Sequence, residues 1–389
     1  MPGPALPLLD AHRHSLETCV YCPKLCRTAC PVSNAEASET VTPWGKMSTA
    51  YFSGRGDLPL DANYASTAWA CSGCFACRSF CEHQNPVATV LMDARAEAYA
   101  RGVAPEQARK AVANWHARAP EITNSVNVVA TQTDTDRAPE TSVALLIGCG
   151  YARRFPDVAL DAARTTMAFV GSKTRPVRAC CGLPLLHAGD HDGFVRAARR
   201  FAAEVSRAPS LVVVDPGCAR TLLQEYPRVG VALPPVNVWI DLAARERMRL
   251  RPLEADELTG ERATEPAPSS PPSNRAARVR FHDPCQLGRG LGKFDEPRSV
   301  LERVAGNIAG FTRDRDAGEC SGGGGLLPVT RPETSLAIAQ ERIAEHKRLG
   351  GGVLITHCAS SLHRFRSAGT PAVDLITLVA RALSPRNSA

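Results

Sequence analysis

Fifteen cysteines stand in this chain of 389 residues, and eight of them fall in two dense runs. The first run holds Cys19, Cys22, Cys26 and Cys30, with Pro31 directly after the last. The second holds Cys71, Cys74, Cys77 and Cys81, with Glu82 in the place of the proline. A cubane [4Fe–4S] cluster needs four thiolates around a compact core. Three come from one tight loop, and the fourth cysteine of such a run ligates the other cluster of a pair. The second run has the C-x2-C-x2-C-x3-C spacing in full. The first has three residues between Cys22 and Cys26, a one-residue expansion that a loop absorbs. The crossing rule then assigns Cys19, Cys22, Cys26 and Cys81 to one cluster, and Cys71, Cys74, Cys77 and Cys30 to the other.

Two other uses of cysteine compete with this reading. Disulfides belong to oxidising compartments, whereas residues 1–19 lack the basic and apolar regions of an export signal and the cysteine count is odd. Structural zinc sites use paired knuckles separated by a longer loop, not four cysteines within about 12 residues. A zinc-stabilised scaffold is therefore the weaker alternative.

The remaining seven cysteines are Cys149, Cys180, Cys181, Cys218, Cys285, Cys320 and Cys358. They lie beside glycines or at the ends of short apolar runs. Residues 143–147 form a run of buried-strand length that ends in Gly148, Cys149 and Gly150. A helix is expected over 157–170, entered through Pro156 and ended by Gly171. A strand over 174–178 leads into Cys180, Cys181 and Gly182. An amphipathic helix over 194–207 and a strand over 211–214 follow, before Asp215 and Cys218. The same plan recurs later: a strand at 279–281 before His282 and Cys285, a helix over 298–304, then Cys320, Ser321 and Gly322. A helix over 333–349 and a strand at 353–356 lead to His357 and Cys358. From Cys180 to Cys218 is 38 residues, and from Cys320 to Cys358 is also 38. This repetition predicts a duplicated α/β unit with a mostly parallel sheet, ligands beyond the strand ends, and two halves related by a pseudo-two-fold axis.

Upstream, residues 87–112 read as helix broken near Gly102 and Pro105, and 131–141 as a polar linker. The stretch 264–274 is Pro/Ser-rich and reads as a second linker. The organisation expected is a helical module at 1–130, one repeat at 141–262, a linker at 263–276 and a second repeat at 277–389.

Gly148-Cys149, Cys180-Cys181-Gly182, Asp215 to Cys218, His282 to Cys285 and Cys320 to Gly325 resemble the repeated cysteine-rich "CCG" domains. These occur in the D-type heterodisulfide reductase subunit, the glycolate oxidase iron–sulfur subunit and the C-type iron–sulfur subunit of anaerobic glycerol-3-phosphate dehydrogenase. The resemblance implies an α/β fold with a helical N-terminal module: a two-cluster, α-helical ferredoxin-like domain followed by two duplicated α/β CCG repeats. It also implies an iron–sulfur electron carrier beside a flavoprotein, a membrane haem subunit or a quinone-reactive partner. The second repeat departs from the family pattern, with Ser321 where a second cysteine is expected. Cys218 and Cys358 also lack the partner of a C-x-x-C pair. The first repeat still offers Cys149, Cys180, Cys181 and Cys218. The second offers Cys285, Cys320 and Cys358, with Ser321, His282 or His357 as substitute ligands. One or two further clusters in the repeats are thus added to the two N-terminal [4Fe–4S] clusters. Backbone N–H groups of Gly73, Gly148, Gly182 and Gly322 are candidates for contacts to cluster sulfurs.

Other motifs do not hold. The glycines at 288, 290 and 292 with Lys293 fail both the Walker and the dinucleotide patterns. His187 and His191 read as solvated loop histidines, or at most as donors near the first-repeat pocket. Aromatic residues make up 5% of the chain, with no stacking motif, so nucleic acid is not an expected partner. Lys+Arg exceed Asp+Glu by 46 to 39 without long basic blocks, and no apolar run reaches the about 18 residues of a membrane span. A cytoplasmic location follows, with peripheral attachment to the inner face of the membrane left open. No flavin or nicotinamide fingerprint is present. The expected function is that of an electron-transfer subunit, relaying single electrons from a flavin-containing oxidoreductase to a quinone or membrane redox subunit. Catalytic reduction of a disulfide at a CCG-bound cluster is the alternative.

Overall fold

Local sequence rules account for how the N-terminal helices start and stop. A computed structural model of the chain describes residues 6–259 and 279–383. The helix Pro43–Arg55 begins with proline in its first turn and Thr42 as cap, whose Oγ1 accepts from the Gly45 N–H at 3.1 Å. Gly56, with φ of 80°, ends it. The expected break near Gly102 and Pro105 separates Val87–Ala100 from Glu106–Ala117, and Ala119–Gln132 follows. Trp69, Met47, Val90 and Leu91 are buried at the centre of this helical module.

Two four-stranded sheets follow, and every strand pair in them is parallel. The first contains β1 (Ala144–Leu146), β2 (Arg175–Pro176), β3 (Leu211–Val213) and β4 (Val236–Val238) in the order β2-β1-β3-β4. The second contains β5 (Val279–Phe281), β6 (Ile308–Ala309), β7 (Val353–Thr356) and β8 (Ala372–Asp374) in the order β6-β5-β7-β8. The two orders are the same, so the duplication extends from cysteine spacing to topology. In register, Leu146 lies beside Val213, and Phe281 beside Ile355.

Several boundaries differ from the sequence expectation. The strand expected at 174–178 shortens to β2, with the Val177 N–H still donating to the Leu145 carbonyl at 2.9 Å before the chain leaves the sheet. The helix expected from 194 starts at His191, because Asp190 caps it by accepting from the Gly193 N–H at 2.8 Å. The helix expected at 298–304 runs over Asp295–Ala305. Strands β4, β6 and β8 have no counterpart in the sequence reading, since, unlike the equally short β1 and β3, they do not lie in a continuous apolar run of strand length. The Pro/Ser-rich stretch 264–274 and the expected linker 263–276 lie outside the described residues.

The repeats share a core instead of closing separately. Helix Pro156–Val170 of the first repeat packs on Leu375–Leu383 of the second, and Trp239–Arg245 of the first packs on Asp295–Ala305 of the second. Each pairing joins a helix between the first two strands of one repeat to the helix directly after the last strand of the other, which is the reciprocity of a pseudo-two-fold axis. Trp239, Phe281, Phe365 and Leu375 belong to one continuous apolar cluster spanning both sheets. Among the described residues no helix is long and apolar enough to cross a membrane.

Across the shared core, the Tyr151 hydroxyl donates to Asp374 Oδ2 at 2.7 Å, and both side chains are buried. Removing the donor leaves a buried carboxylate oxygen short of a partner. Tyr151→Phe is expected to lower stability by about 1.5–3 kcal/mol, read from the denaturation midpoint.

Candidate functional site

Four thiols of the N-terminal module ring one cavity. Cys19 lies near the end of the helix Arg13–Val20, Cys22 and Cys26 follow in the loop, and Cys81 comes from beyond the short helix Ala76–Ser79. All four line a cavity with Trp44 and Asn85, and Cys77 lines it too. Burial, then the neighbouring charges of Cys26, Cys81 and Cys22, pushes the Cys19 thiol up to about 12. Burial with Cys81 and Cys22 pushes Cys26 up to about 11. Thiolates this close repel one another, and a polyvalent cation or cluster among them would relieve that repulsion. Asn85 Nδ2 donates to Cys19 Sγ at 3.0 Å and to the Ser15 carbonyl at 2.7 Å.

Cys30, Cys71, Cys74 and Cys77 line a second cavity with Lys46, Ser72 and Phe75. The loop turns tightly because Gly73 and Phe75 both take left-handed backbone conformations, with φ of 66° and 60°. Glycine accepts this freely and phenylalanine does not, so Phe75 is strained at the site. The Gly73 N–H donates to Cys71 Sγ at 3.4 Å. Cys30 directly precedes Pro31, the first residue of helix Pro31–Glu36. Lys46 is 2% exposed, and its Nζ donates to Cys30 Sγ at 3.3 Å and to the Ala70 carbonyl at 2.5 Å.

This inner loop is held by both repeats. Gln286 Nε2 donates to the Gly73 carbonyl at 2.8 Å, and Arg289 Nε to the Cys74 carbonyl at 2.7 Å. Arg95 Nη2 donates to the Cys71 carbonyl at 2.7 Å, while Nη1 bonds the carbonyls of His187 and Gly325. A Cβ added at Gly325 would stand 2.2 Å from the Cys71 carbonyl oxygen, and one at Gly324 would stand 2.4 Å from that of Ser72. The glycine loop therefore gives room to another backbone, that of the inner cysteine loop.

In the first repeat, Cys149 follows β1 and Cys218 lies in the helix Pro216–Arg220 after β3. Cys180 Sγ is 3.9 Å from Cys149 Sγ, and Cys181 Sγ is 3.3 Å from Cys218 Sγ. Hydrogen bonds from Cys149 and Cys181, with the Gly182 N–H, hold the Cys180 thiol well below the ordinary range. Cys149 and Cys181 are correspondingly pushed well above it. Gly148 acts through space more than through its N–H: its φ is 100°, and an added Cβ would stand 2.8 Å from Asp215 Cβ.

The three thiols of the second repeat do not gather. Cys320 lies within thiol hydrogen-bonding reach of Cys285 and of Cys74 in the inner loop, and the Gly322 N–H donates to it at 3.3 Å. Cys358 lies instead beside Asp215 and Ser361. Ser321 Oγ pairs with Ser361 Oγ at 2.9 Å. His282 is buried against Phe365 with Arg342 Nε on its Nδ1, and burial with Arg342 and Arg289 drives its pKa far down. His357 is buried 5.1 Å from the Trp239 ring and 3.6 Å from Asp374 Oδ1.

His187 is not a solvated loop histidine. It lies in the helix Leu183–Ala188, and burial with the charges of Arg95 and Arg220 pulls its pKa down to about 3. Lys46, Arg95, Gln286 and Arg289 escaped the sequence reading, because no spacing rule marks a residue that acts on backbone carbonyls far away in the chain.

Residues 15–85 match a 4Fe-4S dicluster domain, and residues 143–223 and 279–365 each match a cysteine-rich domain of the CCG type. The chain is similar to the B subunit of the fumarate reductase (CoM/CoB) of Methanothermobacter marburgensis, 24% identical over 88% of this chain and 66% of that protein. It is similar to the D subunit of the dihydromethanophenazine:CoB–CoM heterodisulfide reductase of Methanosarcina barkeri, 28% identical over 52% of this chain and 49% of that one. It also resembles lactate utilization protein A of an Exiguobacterium species, 26% identical over 57% of this chain and 87% of that one. The chain thus spans just under two thirds of the first relative's length and about half of the second's.

The glycine contact can be separated from backbone strain alone. Gly325 and Gly351 have nearly the same φ, 63° and 62°, but an added Cβ at Gly351 meets nothing within 4 Å. Gly351→Ala is expected to lose about 1–2 kcal/mol. Gly325→Ala is expected to lose about 3 kcal/mol or more, since two backbones must part. Chemical denaturation of the two variants side by side checks this.

Proposed function

Because this chain belongs to the iron–sulfur proteins that join a 4Fe-4S dicluster domain to cysteine-rich CCG repeats, we propose that it is an electron-transfer subunit of an oxidoreductase complex. The observation that carries the reading is that Cys19, Cys22, Cys26 and Cys81 line one cavity and Cys30, Cys71, Cys74 and Cys77 another, with Cys77 on the walls of both and cysteines of both runs in each. Four thiolates per cubane is the donor set such clusters require. Cys19, Cys22, Cys26 and Cys81 would hold one cluster, and Cys30, Cys71, Cys74 and Cys77 the other. Bound there, the clusters would supply one-electron carriers. The chain's own contribution is to exclude water, to direct N–H groups at sulfur and to keep the centres at fixed separation. Asn85, Gly73 and Lys46 donate to cysteine sulfurs, and Arg95, Gln286 and Arg289 hold the inner loop against both repeats.

Cys149, Cys180, Cys181 and Cys218 would hold a further cluster in the first repeat. The second repeat serves as a wall to the inner ring, not as a cluster site. Its thiols point to two places, and Ser321 is satisfied by Ser361. The same substitution disfavours the disulfide-reducing alternative, which relies on two complete repeats. The electron donor fitting this plan is a flavin-containing dehydrogenase, and the acceptor a quinone or membrane redox subunit, with the chain associated peripherally at the cytoplasmic face.

Anaerobic purification with iron and sulfide counting tests the reading. Brown protein with about eight or more irons is expected. Cys19→Ser and Cys71→Ser should each remove the EPR signal of one reduced cubane, Cys149→Ser should remove a third centre, and Cys285→Ser should leave the iron count unchanged. Colourless protein holding about two zincs overturns it.

A further inference from the structure

The two rings differ in the charge placed around them. The outer ring, Cys19 with Cys22, Cys26 and Cys81, receives its side-chain hydrogen bond from a neutral amide, Asn85. Cys22, Cys26 and Cys81 are half-buried, as are Cys71 and Cys77 of the inner ring, and the neighbouring Lys24 rests over the Trp44 ring, 3.9 Å from its centroid. The inner ring has three buried cations. Lys46, Arg95 and Arg289 are 2%, 2% and 6% exposed. Lys46 Nζ touches Cys30 Sγ, while Arg95 and Arg289 bond the carbonyls of Cys71 and Cys74.

Among the described residues, none of these cations has a carboxylate in its hydrogen-bonding set. Lys46 bonds a thiol and a carbonyl. Arg95 bonds the carbonyls of Ala68, Cys71, His187 and Gly325. Arg289 bonds those of Cys74, Asp316 and Gly318, and its Nη2 has no partner among the described residues. The buried acids on the helix Val87–Ala100 are engaged elsewhere: Asp93 by His12 and Arg228, Glu97 by Arg101 and the Leu8 N–H. Buried charge requires a counter-charge. The counter-charge within reach is the inner thiolate ring.

We propose that Lys46, with Arg95 and Arg289 behind it, makes the inner ring the higher-potential member of the pair, so that electrons entering at the half-exposed outer ring come to rest against the repeats. This rests on the reading that both rings hold clusters. One-electron reduction adds negative charge to a centre, and a fixed cation stabilises the reduced form more than the oxidised one. Burial alone works the other way, since a dry ring resists further negative charge. Three cations without carboxylate partners reverse that order. Lys46 is the member that touches sulfur. It is a tuning residue, acting through Cys30.

EPR-monitored redox titration of the anaerobic full-length protein tests this, with iron counted in every sample. The wild type should show two resolved one-electron cubane couples. Lys46→Met keeps the side chain's length and removes its charge. It should lower the higher of the two couples by a factor of about ten in the reduction equilibrium, about 59 mV for one electron, and leave the other in place. Lys46→Arg, which keeps the charge, should restore it. Asn85→Asp adds a negative charge beside Cys19 and should lower only the lower couple, which identifies the rings independently of Lys46. Coincident couples in the wild type, or a shift of the lower couple in Lys46→Met, overturn the proposal. So do couples left unmoved with iron intact. Protein without iron would instead overturn the reading on which it rests.

Discussion

The buried guanidinium of Arg95 ties together three regions that are far apart in the chain. Its donors reach the carbonyls of Ala68 and Cys71 in the helical module, His187 in the first repeat and Gly325 in the second. Burial pulls its pKa down to about 10, which still leaves it charged at neutral pH. A planar donor set of this kind fixes direction as well as distance, and a lysine at the same place could not reproduce it. The inner cysteine loop is therefore positioned by the whole fold and not by the helical module alone. Gln286 acts in the same sense, bonding the Gly73 carbonyl while accepting from Arg220 of the first repeat.

That constraint gives the second repeat a structural role although it carries three cysteines against four in the first. In the first repeat, Cys181 lies against Cys218. Ser321, at the position corresponding to Cys181, pairs instead with Ser361, three residues past Cys358, the counterpart of Cys218. The repeat still donates Gln286, Arg289 and the glycine loop to the inner ring, and its helices complete the shared core. Its topology remains necessary although its ligand set has thinned. Cysteine content and structural importance have come apart in this half of the molecule.

Much of the plan was legible from the chain itself. Cysteine spacing and short apolar runs marked the two dense runs, the duplication and the strands that lead to Cys149, Cys218, Cys285 and Cys358, because ligand geometry and burial act over a few residues. What escaped was long-range. Strands β4 and β8 are three residues each, and only their place beside β3 and β7 makes them strands. Lys46 sits in the helix Pro43–Arg55, where nothing in the local pattern shows that its charged end is buried. His187 read as solvated because glycine and aspartate follow it closely, yet the helix Leu183–Ala188 packs against the helical module and brings Arg95 beside it.

The asymmetry between the rings follows from the same geometry. A ring at the edge of the helical module can be reached by water, and a neutral amide suffices for it. A ring enclosed by three parts of the chain has less of that solvent, and its thiolates would repel one another in a medium that screens poorly. Fixed cations are the remaining means of balancing it. Arginines that align the loop also deliver positive charge to it, so holding the inner ring in place and setting its electrostatics are done by the same side chains. A carboxylate introduced beside Arg95 or Arg289 would satisfy the guanidinium and weaken both functions together, even where the hydrogen-bond count rose.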